Sequence, residues 1–543
     1  MTEPAPTTPD SKFSQLFAVS GLFACLALAV FLRWPMMTAA ERHLDSDLAV
    51  DGLTLRQFVE EGKWRWHYPG TPHIGTAPML LSLPAVAIWG EGSASLVFAG
   101  VAANLLLISG VYLLVLKAYD RISALVSGLL LAAGGLGQVW LSARVTGGHL
   151  LAAAWLAWAW YFWAGLIHRN AIFPWIVFGL FCGLGLWVDS IFLLGLAGLF
   201  FASLAEAWKF RKTVSLKRRV AQAMLFSMML PVGPLLTSLG DGENVYGDQF
   251  QLITDVPSLI DHTKILFLQC LPRLAFGRSI SGKDEITWPD QPYKNATSWQ
   301  IIAALVALTM TALLLKSPSK KKPVSDWSSW LGSLWLGLFC MFILNLAAFI
   351  FNKNIFNSDN YRYLVCLLPM IGLVYAGLVV SGHFRQINIA IILLIACILG
   401  YDVYQWQKHA FLRDSETAGD QSSVTGDVIA LPRRKFIYEQ IFTSKDNGSP
   451  PLVNGTFEAD YWVVYKSMYL YRLPISNGRP FGFYPDRFKS ISPKNPLYVV
   501  ISDNETSRRM LAAVQNEEFE SRYQSPDVMI LRRKQPISQI NPQ

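Results

Sequence analysis

Apolar runs long enough to cross a hydrocarbon core of ~30 Å recur along the chain as far as about Tyr404, separated by short polar or basic segments. The pattern predicts eleven spans: Ser14 to Leu32, Ser93 to Leu116, Ile122 to Leu141, Leu150 to Ile167, Ala171 to Val188, Ser190 to Ala205, Val220 to Leu239, Trp299 to Leu315, Trp327 to Phe351, Tyr363 to Val380 and Ile387 to Tyr401. Beyond them the pattern changes to short mixed runs. There Pro496 to Ser502 and Val528 to Arg532 read as strands and Glu505 to Gln515 as a helix.

Charge settles the topology. Ala171 to Ala205 is either one long span or two joined by a turn at Val188-Asp189-Ser190. Two spans with a cytoplasmic N-terminus put the basic runs 208–219 and 316–322 both inside, as the positive-inside tendency asks. The same parity places residues 33–92, residues 240–298, the connection 352–362 and the whole tail on the outer side. The expected fold is therefore mainly α: a polytopic membrane module of about eleven helices over residues 1–404, then an extracytoplasmic soluble α/β domain over 405–543. The N-terminal dozen lacks the cationic start and cleavage site of a signal peptide, so the first span is read as retained.

Composition supports this class. Of 543 residues, 52% are hydrophobic and only 15% charged, which excludes an ordinary water-soluble protein. The net charge of +8 sits in loops and tail rather than in a stripe, so it reports membrane topology and not nucleic-acid binding. Six cysteines, five of them in apolar spans, show no CxxC and no His at metal spacing; neither a disulfide framework nor a structural zinc site is expected. A P-loop, GxGxxG after a strand, HExxH and GxSxG are all missing, so cytosolic nucleotide chemistry has no support.

The richest chemistry lies in the first outer loop. His43-Leu-Asp-Ser-Asp-Leu-Ala-Val-Asp-Gly52 holds three carboxylates within seven residues, directly after a span. From Leu48 the stripe Leu48, Gly52, Leu55, Val59 predicts an amphipathic helix on the membrane surface, ending at Gly62 and capped by Asp45, Ser46 or Asp47. Capping alone would explain one Asp or Ser there. Three acids exceed that need, and the aromatic and imidazole-rich Trp64 to His73 follows, with His67 and His73 as candidate pocket residues. Arg144 and His149 lie at the outer ends of the third and fourth spans, and Tyr361 and Arg362 at the outer end of the tenth. Either arginine alone is as well explained as an interfacial anchor. Together they offer bidentate forks for a lipid-linked phosphate. Asp189 reads as a turn former. The tail aromatics Tyr461, Trp462, Tyr465, Tyr469 and Tyr471 could stack on sugar rings, although their helical spacing is the ordinary pattern of core packing.

These motifs resemble the GT-C class of membrane glycosyltransferases, in particular the bacterial relatives of protein O-mannosyltransferases and of the lipid A aminoarabinose transferases. The resemblance rests on Asp45 to Gly52 with the helix after it, Gly70-Thr-Pro-His-Ile-Gly75, Ala143-Arg144, Asn360-Tyr-Arg-Tyr-Leu364 before a Pro-containing span, and Ala459-Asp-Tyr-Trp462. Their order along the chain carries more weight than any one of them. The family often has Asp-Glu in the acidic motif, whereas Asp47 is followed here by Leu48.

The resemblance implies transfer of a sugar from a polyprenyl-phosphate donor to a lipid, protein or polysaccharide acceptor at the outer face, with inversion. It points to Asp47 as the base, with Asp45 as the alternative match, and to Arg144 and Arg362 on the carrier phosphate. His67, His73, His149 and Tyr361 are the candidate substrate contacts. No organic cofactor is implied; the acidic loop has the oxygen ligands a divalent cation takes, without a recognisable metal-binding loop. A bacterial inner membrane is the expected location. The alternative is a multi-span transporter or lipid-linked sugar flippase, which would show ionisable groups or broken helices near mid-membrane. A scaffold with a carbohydrate-binding tail would leave the acidic loop unexplained.

Overall fold

A computed structural model describes residues 12–276, 328–443, 450–481, 497–502, 519–524 and 528–534, apart from 39, 41–43, 45, 144–147, 168–170, 210–215, 239–250, 355–357, 381–384, 413–438 and 440. The molecule is mainly helical, with a strand-containing region towards the C-terminus.

Helix α1 (Lys12–Thr38) continues beyond Leu32, where the apolar run ends. Arg33 does not stop it because the fully buried guanidinium finds partners inside the bundle. Its Nε donates to Ser142 Oγ at 2.8 Å and its Nη1 to the Ala132 carbonyl at 2.6 Å. Helix α2 (Ser46–Glu61) stops at Gly62, whose φ of 67° and N–H bond to the Phe58 carbonyl close it in the left-handed manner. An antiparallel hairpin of β1 (His67–Tyr68) and β2 (Thr71–Gly75) follows.

Short helices α3 (Ala77–Leu80) and α4 (Leu83–Trp89) lead into the bundle of α5 (Ser93–Ala118), α6 (Arg121–Ala133), α7 (Leu136–Ala143), α8 (His149–Leu166), α9 (Phe173–Val188), α10 (Phe192–Lys209), α11 (Leu216–Met229) and α12 (Val232–Ser238). Next come α13 (Val256–Ile265), a π turn at Leu266–Cys270 and α14 (Leu271–Phe276). Helix α15 (Ser328–Phe351), a 3-10 segment (Ser358–Leu367), α16 (Leu368–Val380) and α17 (Arg385–Leu412) complete the helical part.

Among the described residues, six helical segments are long and apolar enough to cross a membrane: Gln15–Thr38, Ser93–Ala118, Phe192–Lys209, Arg219–Leu236, Trp330–Phe351 and Asn360–Val380. Phe23, Phe31, Phe200 and Phe339 project from them into the surroundings, which suits lipid and not water. The chain is an integral membrane protein.

The stretch from Ala171 to Ala205 is two helices, α9 and α10, turning at Asp189 as the charge bias requires. The expected single span Ile122 to Leu141 is instead two helices: Gly134, at φ 66°, ends α6, and α7 restarts from Leu136. The expected span Trp299 to Leu315 lies outside the described residues.

The tail sheet has the strand order β4-β3-β5-β7-β6. Strand β3 (Phe457–Asp460) runs into α18 (Tyr461–Leu470), and β4 (Gly478–Phe481) returns parallel to β3, a helical crossover. Strand β5 (Tyr498–Ser502) is parallel to β3 on its other side, while β6 (Phe519–Gln524) and β7 (Val528–Arg533) form an antiparallel pair beside β5. The two strands expected from the sequence are β5 and β7; the helix expected at Glu505 to Gln515 lies outside the described residues. Tyr465 and Tyr469 are buried, so these two of the tail aromatics serve packing.

Helix α2 is not the free amphipathic helix its stripe predicts. Leu48, Ala49, Val50, Leu53 and Leu55 are all buried, in one core with Phe457, Val464, Tyr465 and Met468 of the tail and Leu96 and Val97 of α5. The tail supplies the second apolar partner. Gly52 lies so close to the Tyr469 ring that a Cβ there would overlap it. Arg56 fixes the same contact, donating from Nε to Glu91 at 2.7 Å and from Nη2 to the Tyr469 carbonyl at 2.8 Å, near the end of α18 where carbonyls lack helical partners.

Candidate active site

The acidic loop and the hairpin are tied together. Asp47 occupies the first turn of α2, where a carboxylate faces favourable backbone N–H dipoles. Its carbonyl accepts the Tyr68 hydroxyl at 2.8 Å, which brings β1 against the start of α2. Asp45 lies outside the described residues. His67 is buried, its Nδ1 3.2 Å from the Tyr68 carbonyl, and His73 is half-buried on β2.

The hairpin is in turn fixed to the α9–α10 turn. Trp187 Nε1 donates to the Trp66 carbonyl at 2.6 Å, and Ile74 pairs with Asp189 as an isolated antiparallel bridge. Asp189 is fully inside the protein at 1% exposure, and its two oxygens do different work. Oδ1 accepts the Ile191 N–H at 3.0 Å, which is the turn-forming role read from the sequence. Oδ2 lies 2.6 Å from His149 Nδ1. Gly148, at φ 71° and packed against the Val188 carbonyl, lets α8 begin close enough for that contact.

The third predicted cluster reaches the same place. The His149 ring meets the Tyr363 ring edge-on at 5.3 Å, and the Arg362 guanidinium sits 5.4 Å from the Tyr363 ring centre. Tyr361 is buried, donates its hydroxyl to the Gly137 carbonyl at 3.1 Å and carries the Arg273 guanidinium 5.1 Å over its ring. Arg144 lies outside the described residues, just after α7, whose Ser142 is held by Arg33. One end of the bundle thus gathers Asp47, the His67–His73 hairpin, His149, Tyr361 and Arg362.

Several contacts at this end of the bundle are not legible in the sequence. The His149–Asp189 contact joins residues 40 apart, and nothing local to either announces it. In the sequence Arg33 reads as the boundary of a span and Arg273 as part of an outer loop. An arginine at the edge of an apolar run was the available signal for Arg33. Its Nη2 has no hydrogen-bond partner among the described residues. Also among them, no three His, Cys, Asp or Glu side chains converge as a metal site.

No protein-family model matches the chain, and no curated protein matches it. Among solved structures it is similar to ArnT from Cupriavidus metallidurans bound to undecaprenyl phosphate, with a TM-score of 0.56 and 11% identity over 96% of this chain and 98% of that one. It also aligns with the archaeal oligosaccharyltransferase AglB from Archaeoglobus fulgidus, in complex with an inhibitory peptide and a dolichol-phosphate, at a TM-score of 0.45 and 13% identity over 91% of this chain and 70% of that one. At 11% identity the likeness to ArnT is one of architecture, and the architecture is that of the GT-C fold which the sequence motifs resemble.

Proposed function

We propose that the chain is a membrane glycosyltransferase that moves a sugar from a polyprenyl-phosphate donor to an acceptor at the outer face of the membrane, with inversion. The observation that carries this reading is the convergence of an acidic helix start, a histidine-bearing hairpin and the arginine-bearing 3-10 segment at one end of a bundle with the ArnT fold. ArnT was crystallised with undecaprenyl phosphate, which supports a polyprenyl-phosphate carrier here.

In this mechanism the Asp47 carboxylate accepts the proton of the acceptor nucleophile as it attacks the anomeric carbon from the side opposite the phosphate. Such a base contributes typically ~10²- to 10⁴-fold in rate. Arg362 and Arg144 bind the phosphate and stabilise its charge as the bond to carbon breaks. Asp45 supports Asp47, and His67, His73 and Tyr361 shape the pocket for sugar and acceptor. The proposed topology has eleven spans, a module over residues 1–404 and an outer domain over 405–543, in a bacterial inner membrane.

The test is release of polyprenyl phosphate from a mixed pool of polyprenyl-phosphate sugars by reconstituted wild type and Asp47→Asn. Wild-type release should exceed the variant's by roughly 10²-fold or more. Equal release by the two folded proteins would remove Asp47 as the base. No release by the wild type from any donor in the pool would move the reading to the transporter or flippase class.

A further inference from the structure

Asp189 and His149 form a buried acid–imidazole pair that the mechanism above does not use. Their side chains are 1% and 7% exposed, and the Nδ1–Oδ2 separation of 2.6 Å is that of a strong hydrogen bond. With Nδ1–H given to Asp189, the ring is fixed in orientation and Nε2 becomes its working atom. Nε2 makes no hydrogen bond among the described residues.

The pair is held from several sides. Asp189 cannot swing away, because Oδ1 is bound to the Ile191 N–H and its backbone pairs with Ile74 of the hairpin. The His149 ring cannot tilt freely, because it abuts Tyr363. The same tyrosine carries Arg362, the guanidinium assigned to the phosphate, whereas Asp47 approaches through the hairpin from α2. His149 thus shares its Tyr363 neighbour with the guanidinium assigned to the phosphate.

We propose that His149, positioned by Asp189, donates a proton from Nε2 to the carrier phosphate as it departs; the proposal rests on the glycosyltransferase reading. The step balances. The anomeric C–O bond to phosphate breaks with its electron pair on that oxygen, and the C–O bond to the acceptor forms. The acceptor's proton passes to Asp47, and His149, entering the step as the imidazolium, passes its Nε2 proton to the phosphate and keeps the Nδ1 proton towards Asp189. The carrier then leaves as a singly protonated phosphate monoester, and both side chains recover their starting states through solvent. Asp189 is the positioning residue, since it acts only through the imidazole.

Two measurements test this. The first uses wild-type protein labelled with ¹⁵N-histidine in phosphorus-free glycolipid vesicles containing undecaprenyl phosphate, with the His149 signals assigned by their loss in His149→Asn. Phosphorus should dephase the Nε2 resonance of His149, and undecaprenol should leave it unchanged. The second is transfer kinetics. Asparagine retains an N–H towards Asp189, so a purely structural role predicts near wild-type turnover for His149→Asn. Proton donation predicts kcat lower by about 10²-fold, with donor KM within roughly threefold. Asp189→Asn can still accept the Ile191 N–H but presents its NH₂ to Nδ1, which then cannot hold a proton; the neutral ring could give up its Nε2 proton only by becoming an imidazolate, so kcat should fall at least tenfold with the turn intact.

Absence of dephasing, or a kcat for His149→Asn within threefold of wild type, overturns the proposal and leaves the glycosyltransferase reading standing. Dephasing with no transfer by the wild type from any donor overturns proton donation together with that reading, and leaves His149 as a phosphate contact only.

Discussion

Tyr469 shows how one side chain sets the conditions under which the tail stays docked. It is buried against Gly52, and its hydroxyl has no hydrogen-bond partner among the described residues. Burial pushes its phenol above the ordinary value of ~10, the Glu91 carboxylate adds to the effect, and Arg56 and Arg472 oppose it. Above the ordinary value an undocked tyrosine gives up its proton while the docked one keeps it. Docking is therefore strongest below pH ~10 and weakens as pH rises beyond it. Tyr469→Phe should remove that alkaline loss in thermal unfolding followed across pH. At neutral pH the variant should be as stable or gain up to about 1 kcal/mol, because a desolvated hydroxyl is deleted without stranding a partner. An alkaline loss equal to wild type in the variant would refute the assignment to Tyr469. The residue scale is also where the sequence was least legible. Asp189 reads in the sequence as a turn former and its Oδ1 does form the turn, yet its second oxygen serves His149, a contact made by the meeting of α8 with the α9–α10 turn. Local pattern carries no information about such a meeting.

At the scale of elements, periodicity located helices well and their surroundings poorly. The C-terminal limit of α2 follows from Gly62, but the stripe Leu48, Gly52, Leu55, Val59 misses that Ala49, Val50 and Leu53 are apolar as well, so that most of the helix girdle is buried. The break after Ala133 was legible in principle from Gly134-Gly135, but mean hydropathy averages over such a pair. The tail's β3 and β4 are not legible in the sequence because each has only four residues, too short for alternation to register. The close fit of α2 to α18 makes a sharp prediction. Gly52→Val should destabilise the docked tail by about 1–3 kcal/mol through overpacking against the Tyr469 ring. Combining it with Tyr469→Ala should recover part of that loss, a non-additivity expected of side chains in contact. Thermal unfolding of the two single variants and the double variant measures this, and strictly additive losses would mean that the two elements do not meet as described.

On the scale of the whole molecule, the helices alternate so that two ends can be told apart. One end holds α2, the hairpin, the His149–Asp189 pair and the tail; the other holds Tyr119, which accepts from Trp335, and the hydrogen-bonded group Lys209, Ser333 and Glu206. Ionisable groups occur inside the candidate spans, but Arg33 and Glu206 are bound to side chains or carbonyls near helix ends, which suits anchors of the bundle better than a path through it. Cysteines placed at Lys63, which is 69% exposed, and at Lys534, exposed at the end of β7, should therefore react from the same side of the membrane. A cysteine at Ala171, exposed just before α9, should react from the other. In a background without the native cysteines, the eleven-span topology predicts that an impermeant maleimide added to intact cells modifies the first two, and Ala171→Cys only after permeabilisation. Lys63 and Lys534 on opposite sides would contradict the packing of α2 against the tail. All three reversed would preserve the fold but turn Asp47 and the proposed phosphate contacts towards the cytoplasm, and a carrier sugar presented at the outer leaflet could then not reach them.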